Sequence, residues 1–303
     1  MDVSVIIVNY NTKSLTRECI DSVFEKTNNV SFEIILVDNA STDGSREYFE
    51  KDKRIIYVYS ESNLGFGKAN NLGLKYCKGK YVFLLNSDTL LLNDAIGEFY
   101  MFMESAPNNV GCIGCELVNA DNKPITSFGP FPSVKYYLGR ILRSYHIDFK
   151  CLSIQTHSLK SYPSTVDYVC GADLFIRREV IEAFGLFDPD FFLYSEETEM
   201  LHRYREGGYI SQIINSPRIV HLHGASNVLH KGGKRSLKVA FFELQSRYLY
   251  CNKTMTRMQR VLISYLHILM IPKILLYNSL WSEKAHMINE IARNLYICFQ
   301  KKV

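Results

Sequence analysis

Val3–Asn9 reads VSVIIVN, a nearly continuous run of β-branched apolar residues. Such a run is the pattern of a strand buried on both faces in a parallel sheet. EIILVD (33–38), IIYVY (55–59) and YVFLLN (81–86) repeat it, and helical patterns lie between them. In SLTRECIDSVFEK (14–26), Leu15, Cys19, Ile20 and Val23 share one face while Arg17, Glu18, Asp21 and Glu25 fall elsewhere. SREYFEK (45–51) predicts a second helix, and GFGKANNLGLKYC (65–77) a third with Ala69, Leu72, Gly73 and Tyr76 on one face. The first 90 residues therefore predict an α/β fold, four parallel strands joined by three helical crossovers. Such sheets bind ligands at the carboxyl ends of their strands, where the strand order reverses.

The remaining chain carries the pattern further. Residues 119–165, with Pro124, Pro130, Pro132 and Pro163, read as a loop-like lid or acceptor-side insertion. VDYVCGADLFI (166–176) reads as a strand, EVIEAF (179–184) and Glu196–Glu206 as helices, and YISQII (209–214) and RIVHLH (218–223) as strands. Beyond residue 230 a basic patch (Lys231, Lys234, Arg235, Lys238) precedes helical sequence that includes VLISYLHILMIPKILLYNSLW (261–281). His267, Pro272, Lys273 and Asn278 interrupt that stretch. A helix lying in a membrane interface, flanked by Arg257 and Arg260, fits better than a spanning one. A helix packed on the domain or on a partner copy in a homodimer is the other arrangement.

Composition removes several function classes. The 303 residues are 47% hydrophobic and carry a net charge of +4, too mild for a nucleic-acid footprint. Met1-Asp2 opens into a short apolar run without the basic region of a signal peptide, so a cytoplasmic protein with reduced thiols is expected. Cys112 and Cys115 make a CxxC pair, but no second pair lies at zinc-finger spacing, and a strand with two buried thiols is the favoured reading. The first strand is followed by NYNTKS, not GxGxxG, and no GxxxxGK[ST] occurs, which removes dinucleotide and P-loop sites.

Polar residues at the strand ends carry the chemistry. Asp38 opens DNASTDGS and either accepts the imide N–H of uracil or thymine or, with Asp43, caps the following turn. Asp88, in LLNSDT, can hold Mg²⁺ or Mn²⁺ against a diphosphate, or cap a turn. Glu196, Glu197 and Glu199 crowd one helix start. The macrodipole stabilises acids there, and mutual crowding can raise one carboxyl toward general-base use. His221 and His223 follow a strand, where an imidazole can complete a metal shell or contact phosphate.

In order, VSVIIVNYN, LVDNASTDGS, NLGFGKANNLGL, FLLNSDT, CGADLFIRR, GLFDPDFFLYSEETEMLHRYREGGY and HLHGAS resemble the family 2 glycosyltransferases, especially their bacterial rhamnosyltransferase-like branch, over residues 3–226. The resemblance implies a GT-A fold with a Rossmann-like, mostly parallel sheet at 1–226 and leaves 227–303 as a helical C-terminal extension. It implies inverting transfer from a nucleotide-diphosphate sugar, dTDP- or UDP-linked, to a glycan or polyprenyl-linked acceptor, with a divalent metal (Mg²⁺ or Mn²⁺) and no nucleic acid. By position, Asn9, Tyr10, Asp38, Asn70 and Ser87 would serve the nucleotide-sugar, Asp88 and His221 the metal, and Glu197 the base, with Glu196 as the alternative. Asn86-Ser87-Asp88 stands where many relatives have two acids, and Glu196-Glu197 where they have Glu-Asp. These departures keep a non-catalytic sugar-nucleotide-binding or scaffolding subunit as a second reading. The expected location is the cytosolic face of a membrane, as a peripheral protein.

Overall fold

The computed structural model describes residues 1–145, 159–222, 237–276 and 281–299. In chain order the first elements are β1 (Val3–Asn9), α1 (Lys13–Lys26), β2 (Phe32–Asp38), α2 (Ser45–Phe49), β3 (Ile56–Tyr59), α3 (Phe66–Leu74) and β4 (Tyr81–Asn86). Next come β5 (Thr89–Leu91), α4 (Ala95–Ser105), β6 (Val110–Cys115), β7 (Phe128–Gly129), α5 (Val134–Ser144), β8 (Ser164–Val166), β9 (Tyr168–Val169) and β10 (Asp173–Arg177). Helices α6 (Arg178–Phe184) and α7 (Glu196–Glu206) and strands β11 (Ile210–Ile214) and β12 (Ile219–His221) follow. The chain then turns wholly helical: α8 (Leu237–Thr254), α9 (Arg257–Ile268), α10 (Ile271–Leu276) and α11 (Trp281–Phe299).

The described residues divide into two units. The first holds an eight-stranded sheet ordered β3-β2-β1-β4-β10-β6-β11-β8. Strands β1 to β4 are parallel neighbours, as the four apolar runs predict, and β10 enters antiparallel between β4 and β6. Asn9 lies opposite Asp38 and Val8 opposite Asn86, so β1, β2 and β4 end level with one another. Strand order reverses between β1 and β4, which opens the crevice at their carboxyl ends. Beneath it Phe83, Phe99, Phe175 and Tyr81 pack with ring centroids 5.2 to 5.8 Å apart.

Three expectations need adjusting. Helix α3 turns Asn70 inward, with Gly73 so close to Ile6 and Val37 that a Cβ there would meet them at 2.8 and 3.0 Å, and it ends at Leu74, so that Tyr76 lies past the helix and is exposed. The stretch 119–165 is not all loop: it contains β7, β8 and the amphipathic α5, whose first turn is capped by Ser133 accepting from the Tyr136 N–H. VDYVCGADLFI is broken at Asp167 and at Cys170–Ala172 into the end of β8, β9 and β10, although Ala172 still accepts the Asn86 N–H at 3.1 Å. Cys112 and Cys115 are buried in β6, as a strand reading expects. Three residues apart on a strand they face opposite sides of the sheet.

The second unit comprises α5, Leu193–Ser195 and α8 to α11. Helix α9 packs against α5 and α11, burying Ile263, Ser264 and His267. The His267 ring meets Tyr137 and Tyr248 edge-on at 5.4 and 5.1 Å, and burial pushes its imidazole down to about 3. It is a neutral core group.

Candidate functional site

At the crevice, β1 and β4 are tied together by one hydrogen-bonded chain. Asn9 is fully buried; its Oδ1 accepts from the Thr12 hydroxyl (2.9 Å) and the Thr16 hydroxyl (3.0 Å), and its Nδ2 donates to Ser41. The Thr12 hydroxyl lies 3.1 Å from that of Ser87. Asn9 thus shapes the loop after β1, while Tyr10 beside it is 41% exposed. Asn11 and Ala40, in the facing loops, both take the left-handed conformation, φ 56° and 66°.

Asp38 ends β2 at the crevice, but its carboxylate turns inward. It is fully buried, accepting from the Ser41 N–H at 2.9 Å and the Tyr57 hydroxyl at 2.7 Å. Those bonds are the turn-capping role, extended by a cross-strand link to β3. Asn70 is likewise buried, its Nδ2 donating to Phe66 O one helical turn back. Asn71, which the sequence reading passed over, exchanges two hydrogen bonds with the Phe187 backbone and so fastens α3 to the segment before α7.

Asp88 and His221 are brought together across 133 positions of sequence by the antiparallel pairing of β5 with β12, which sets His221 opposite Thr89. Asp88 Oδ1 is 3.1 Å from His221 Nε2, and Asn86 Nδ2 is 3.4 Å from the same nitrogen. Both side chains are buried. His223 and the basic residues 231–235 lie outside the described residues. Among the described residues no three metal-ligating groups converge. A carboxylate and an imidazole suit a Mg²⁺ or Mn²⁺ ion that takes its remaining ligands from substrate phosphate and water.

Glu196, Glu197 and Glu199 open α7 and divide their roles. Glu199 forms a two-point ion pair with Arg203, at 2.9 and 3.1 Å, and Arg203 also donates to the carbonyls of Phe184 and Leu186. That clamp is structural. Glu196 is buried with Oε2 unpartnered, and burial, then the charge of Glu197, pushes its carboxyl well above the ordinary range. Glu197 is half-buried and raised to about 6, chiefly by burial. A proton held on Glu196 leaves Glu197 to carry the negative charge near neutral pH.

The sequence reading also missed Asp173, fully buried in β10. Its Oδ2 accepts the Cys115 N–H at 2.6 Å, Oδ1 has no partner, and burial raises the carboxyl to about 8. The visible signal is an acid at the start of an apolar strand, GADLFI.

Comparison with known proteins fits this geometry. A low-salt glycan biosynthesis hexosyltransferase of Haloferax volcanii, Agl10, is 30% identical over 208 residues, covering 67% of this chain and 62% of the relative. A putative teichuronic acid biosynthesis glycosyltransferase of Bacillus subtilis, TuaG, is 32% identical over 130 residues, 42% of this chain and 51% of the relative. Neither match reaches two thirds of the relative's own length. The mannosyltransferase PcManGT of Pyrobaculum calidifontis, solved in complex with GDP-Man and Mn²⁺, superposes with a TM-score of 0.57 at 16% identity, over 97% of this chain and 87% of that one. The fold is of GT-A type. The family model for glycosyl transferase family 2 matches residues 4–184, more than half of the sequence, and the chain therefore belongs to that family.

Proposed function

We propose that the chain is an inverting glycosyltransferase that moves a sugar, rhamnose among the candidates, from a dTDP- or UDP-linked donor to a glycan or polyprenyl-linked acceptor in cell-surface polysaccharide assembly. The observation that carries this reading is the Asp88–His221 pair, 3.1 Å apart beside the sheet's switch point. It is the arrangement a diphosphate needs. The names of the Haloferax and Bacillus relatives support a surface-glycan pathway. The Pyrobaculum complex supports a nucleotide-sugar with a divalent ion.

Asp88 and His221 would hold the Mg²⁺ or Mn²⁺ ion. When bound, it supplies positive charge to the departing diphosphate. Glu197 accepts the proton of the acceptor hydroxyl as that oxygen attacks the anomeric carbon from the face opposite the diphosphate. The carbon–oxygen bond to the diphosphate breaks, and its electron pair leaves with the nucleotide. Glu196 is kept protonated by burial and by the Glu197 charge, and burial raises Glu197 itself to about 6, close to the pH at which a general base works. Tyr10 is the exposed side chain at the nucleotide side. Asn9, Asp38, Asn70 and Ser87 serve the donor by fixing the loops that surround it.

A polyprenyl-linked acceptor would draw the protein to the cytosolic face of a membrane. Supporting this, Met258, Leu262, Tyr265 and Leu269 fall at three- and four-residue spacing along α9 and just past its end, Leu276 follows at the end of α10, and all five are 47% to 85% exposed. Residues 255–281 contain Arg257, Arg260 and Lys273 and not one acid. An apolar stripe whose own segment carries only positive charge matches an anionic bilayer surface better than a second copy of itself.

Calorimetry with UDP, dTDP, GDP and CDP, with and without Mn²⁺, tests the donor site; metal-dependent preference for UDP or dTDP is expected. Glu197→Gln should keep nucleotide binding and lose turnover by about 10²- to 10⁴-fold. Nucleotide binding with no metal dependence and no transfer by the unaltered chain would establish the scaffolding reading instead.

A further inference from the structure

Helix α7 carries Glu197 in its first turn and is fastened by its middle. Glu196, Glu199 and Arg203 recur at three- and four-residue spacing and share one stripe, with Glu197 about 100° further round the helix. Arg203 grips Glu199 from that stripe, its Nε 3.1 Å from Oε1 and its Nη2 2.9 Å from Oε2, which fixes the plane of the guanidinium. Its remaining donors go to another element. Nη1 donates to the Phe184 carbonyl and, at 3.2 Å, to that of Gly185, while Nη2 donates to Leu186 O at 2.8 Å. The Tyr204 hydroxyl adds a bond to Gly185 O, also at 2.8 Å. Phe184 is the last residue of α6, and Gly185, left-handed at φ 77°, turns the chain away from it. The closing carbonyls of a helix have no partner within it, and here α7 supplies one. All of these residues belong to the sheet unit.

We propose that Arg203 is a positioning residue for the catalytic base: by joining Glu199 to the chain that leaves α6 it fixes the rotation of α7 about its axis, and with it the direction in which Glu197 points. The inference rests on reading Glu197 as the base. A guanidinium has five N–H donors, and the five bonds to Glu199, Phe184, Gly185 and Leu186 use them all, so Arg203 acts through the helix and not on substrate. The buried apolar side chains of α7, Met200 and Leu201, hold the helix against the sheet but set no direction, because burial of apolar surface is non-directional. The hydrogen bonds of Arg203 do set one. A side-chain carboxylate stands about 5–6 Å from the helix axis, so a rotation of about 10° carries it about 1 Å. A general base displaced that far loses rate steeply, because its oxygen no longer meets the proton it must take.

The test uses the full chain with Arg203→Met and Glu197→Gln, singly and together, assayed for nucleoside diphosphate released from UDP- and dTDP-hexoses, with nucleotide-binding stoichiometry giving the folded fraction. Arg203→Met is expected to lower kcat per folded molecule about ten- to a hundredfold with donor KM nearly unchanged. In the Glu197→Gln background the same change should cost less than about twofold, because the group that Arg203 aims is already gone. A merely structural role would lower turnover by the same factor in both backgrounds, and that result overturns the proposal, as does wild-type kcat per folded molecule in Arg203→Met. Arg203→Lys keeps a cation beside α6 without the two-point grip on Glu199; it should lose about threefold and takes the place of Arg203→Met in the cycle if the latter does not fold. Full turnover in Glu197→Gln removes Glu197 as the base and this proposal with it; loss of turnover there alongside wild-type kcat in Arg203→Met defeats the Arg203 role alone.

Discussion

Asp173 should make the protein less stable as pH rises, and Asp173→Asn should remove that dependence. The carboxyl is fully buried, its Oδ2 is bound to the Cys115 N–H, and its Oδ1 has no partner, so the folded state holds the proton up to about pH 8. An unfolded aspartic acid releases it near its ordinary value of 3.8. Between those limits the folded chain carries one more proton than the unfolded chain. Stability contributed by this site is then fully present below pH 3.8 and falls by about 1.4 kcal/mol for each pH unit until about pH 8. Asparagine is close to isosteric with the protonated acid and can keep the acceptor toward Cys115. Relative to wild type, the variant should gain about 3 kcal/mol between pH 5 and pH 7 and level off above pH 8. Urea unfolding of both proteins at half-unit steps from pH 5 to pH 9 measures this directly. Contributions from Glu196 and Glu197 are common to both and cancel in the difference. Parallel stability curves between pH 5 and pH 8 would refute the reasoning, because they would mean that Asp173 is ionised in the folded protein.

Two glycines should respond differently to alanine. Gly65 (φ 81°) faces the Phe192 carbonyl, where a Cβ would collide and would also meet the Phe192 ring at 2.9 Å. Gly208 (φ 91°) has nothing within 4 Å. Gly208→Ala should cost about 1–2 kcal/mol from the left-handed backbone alone, and Gly65→Ala at least about 1 kcal/mol more; equal losses in urea unfolding would contradict the packing. On the helical unit, Leu262→Glu with Leu269→Glu should abolish co-sedimentation with anionic vesicles while leaving nucleotide binding intact. Undiminished vesicle binding would rule out that stripe as the docking face.

Most of the first unit is legible from residue order alone. β1 and β4 begin and end where their apolar runs do, and β2 and β3 agree to within a residue, because a strand buried on both faces tolerates few polar residues. The third crossover was legible as a helix but not in its extent or full facing: Gly73 draws α3 against Ile6 and Val37 with Asn70 turned in, and the helix ends at Leu74, leaving Tyr76 beyond it and exposed. Helix α5 escaped notice because the surrounding prolines dominate the local pattern, while its apolar face, Tyr137 and Ile141, is visible only once a partner surface exists.

The sequence by itself determined that this chain builds an open, mostly parallel sheet, and it set Asn9, Asp38 and Asp88 at or just beyond the strand ends, where a crevice forms. It also determined the three acids of α7. Only the tertiary structure decided which way each polar group turns. Asp38 and Asn9 face inward because the loop after β2 supplies the Ser41 N–H and hydroxyl, while Tyr57 reaches across from β3. Asp88 meets His221 because β12 pairs with β5, a long-range contact with no local signature. Glu196 and Glu197, neighbours of one chemistry, separate into a proton holder and a carboxylate raised only to about 6, because one is enclosed and the other only half so. Periodicity fixes which elements form, since it reports the faces they bury. Hydrogen-bond partners and desolvation depend on what those faces meet, and that is settled only when the chain folds.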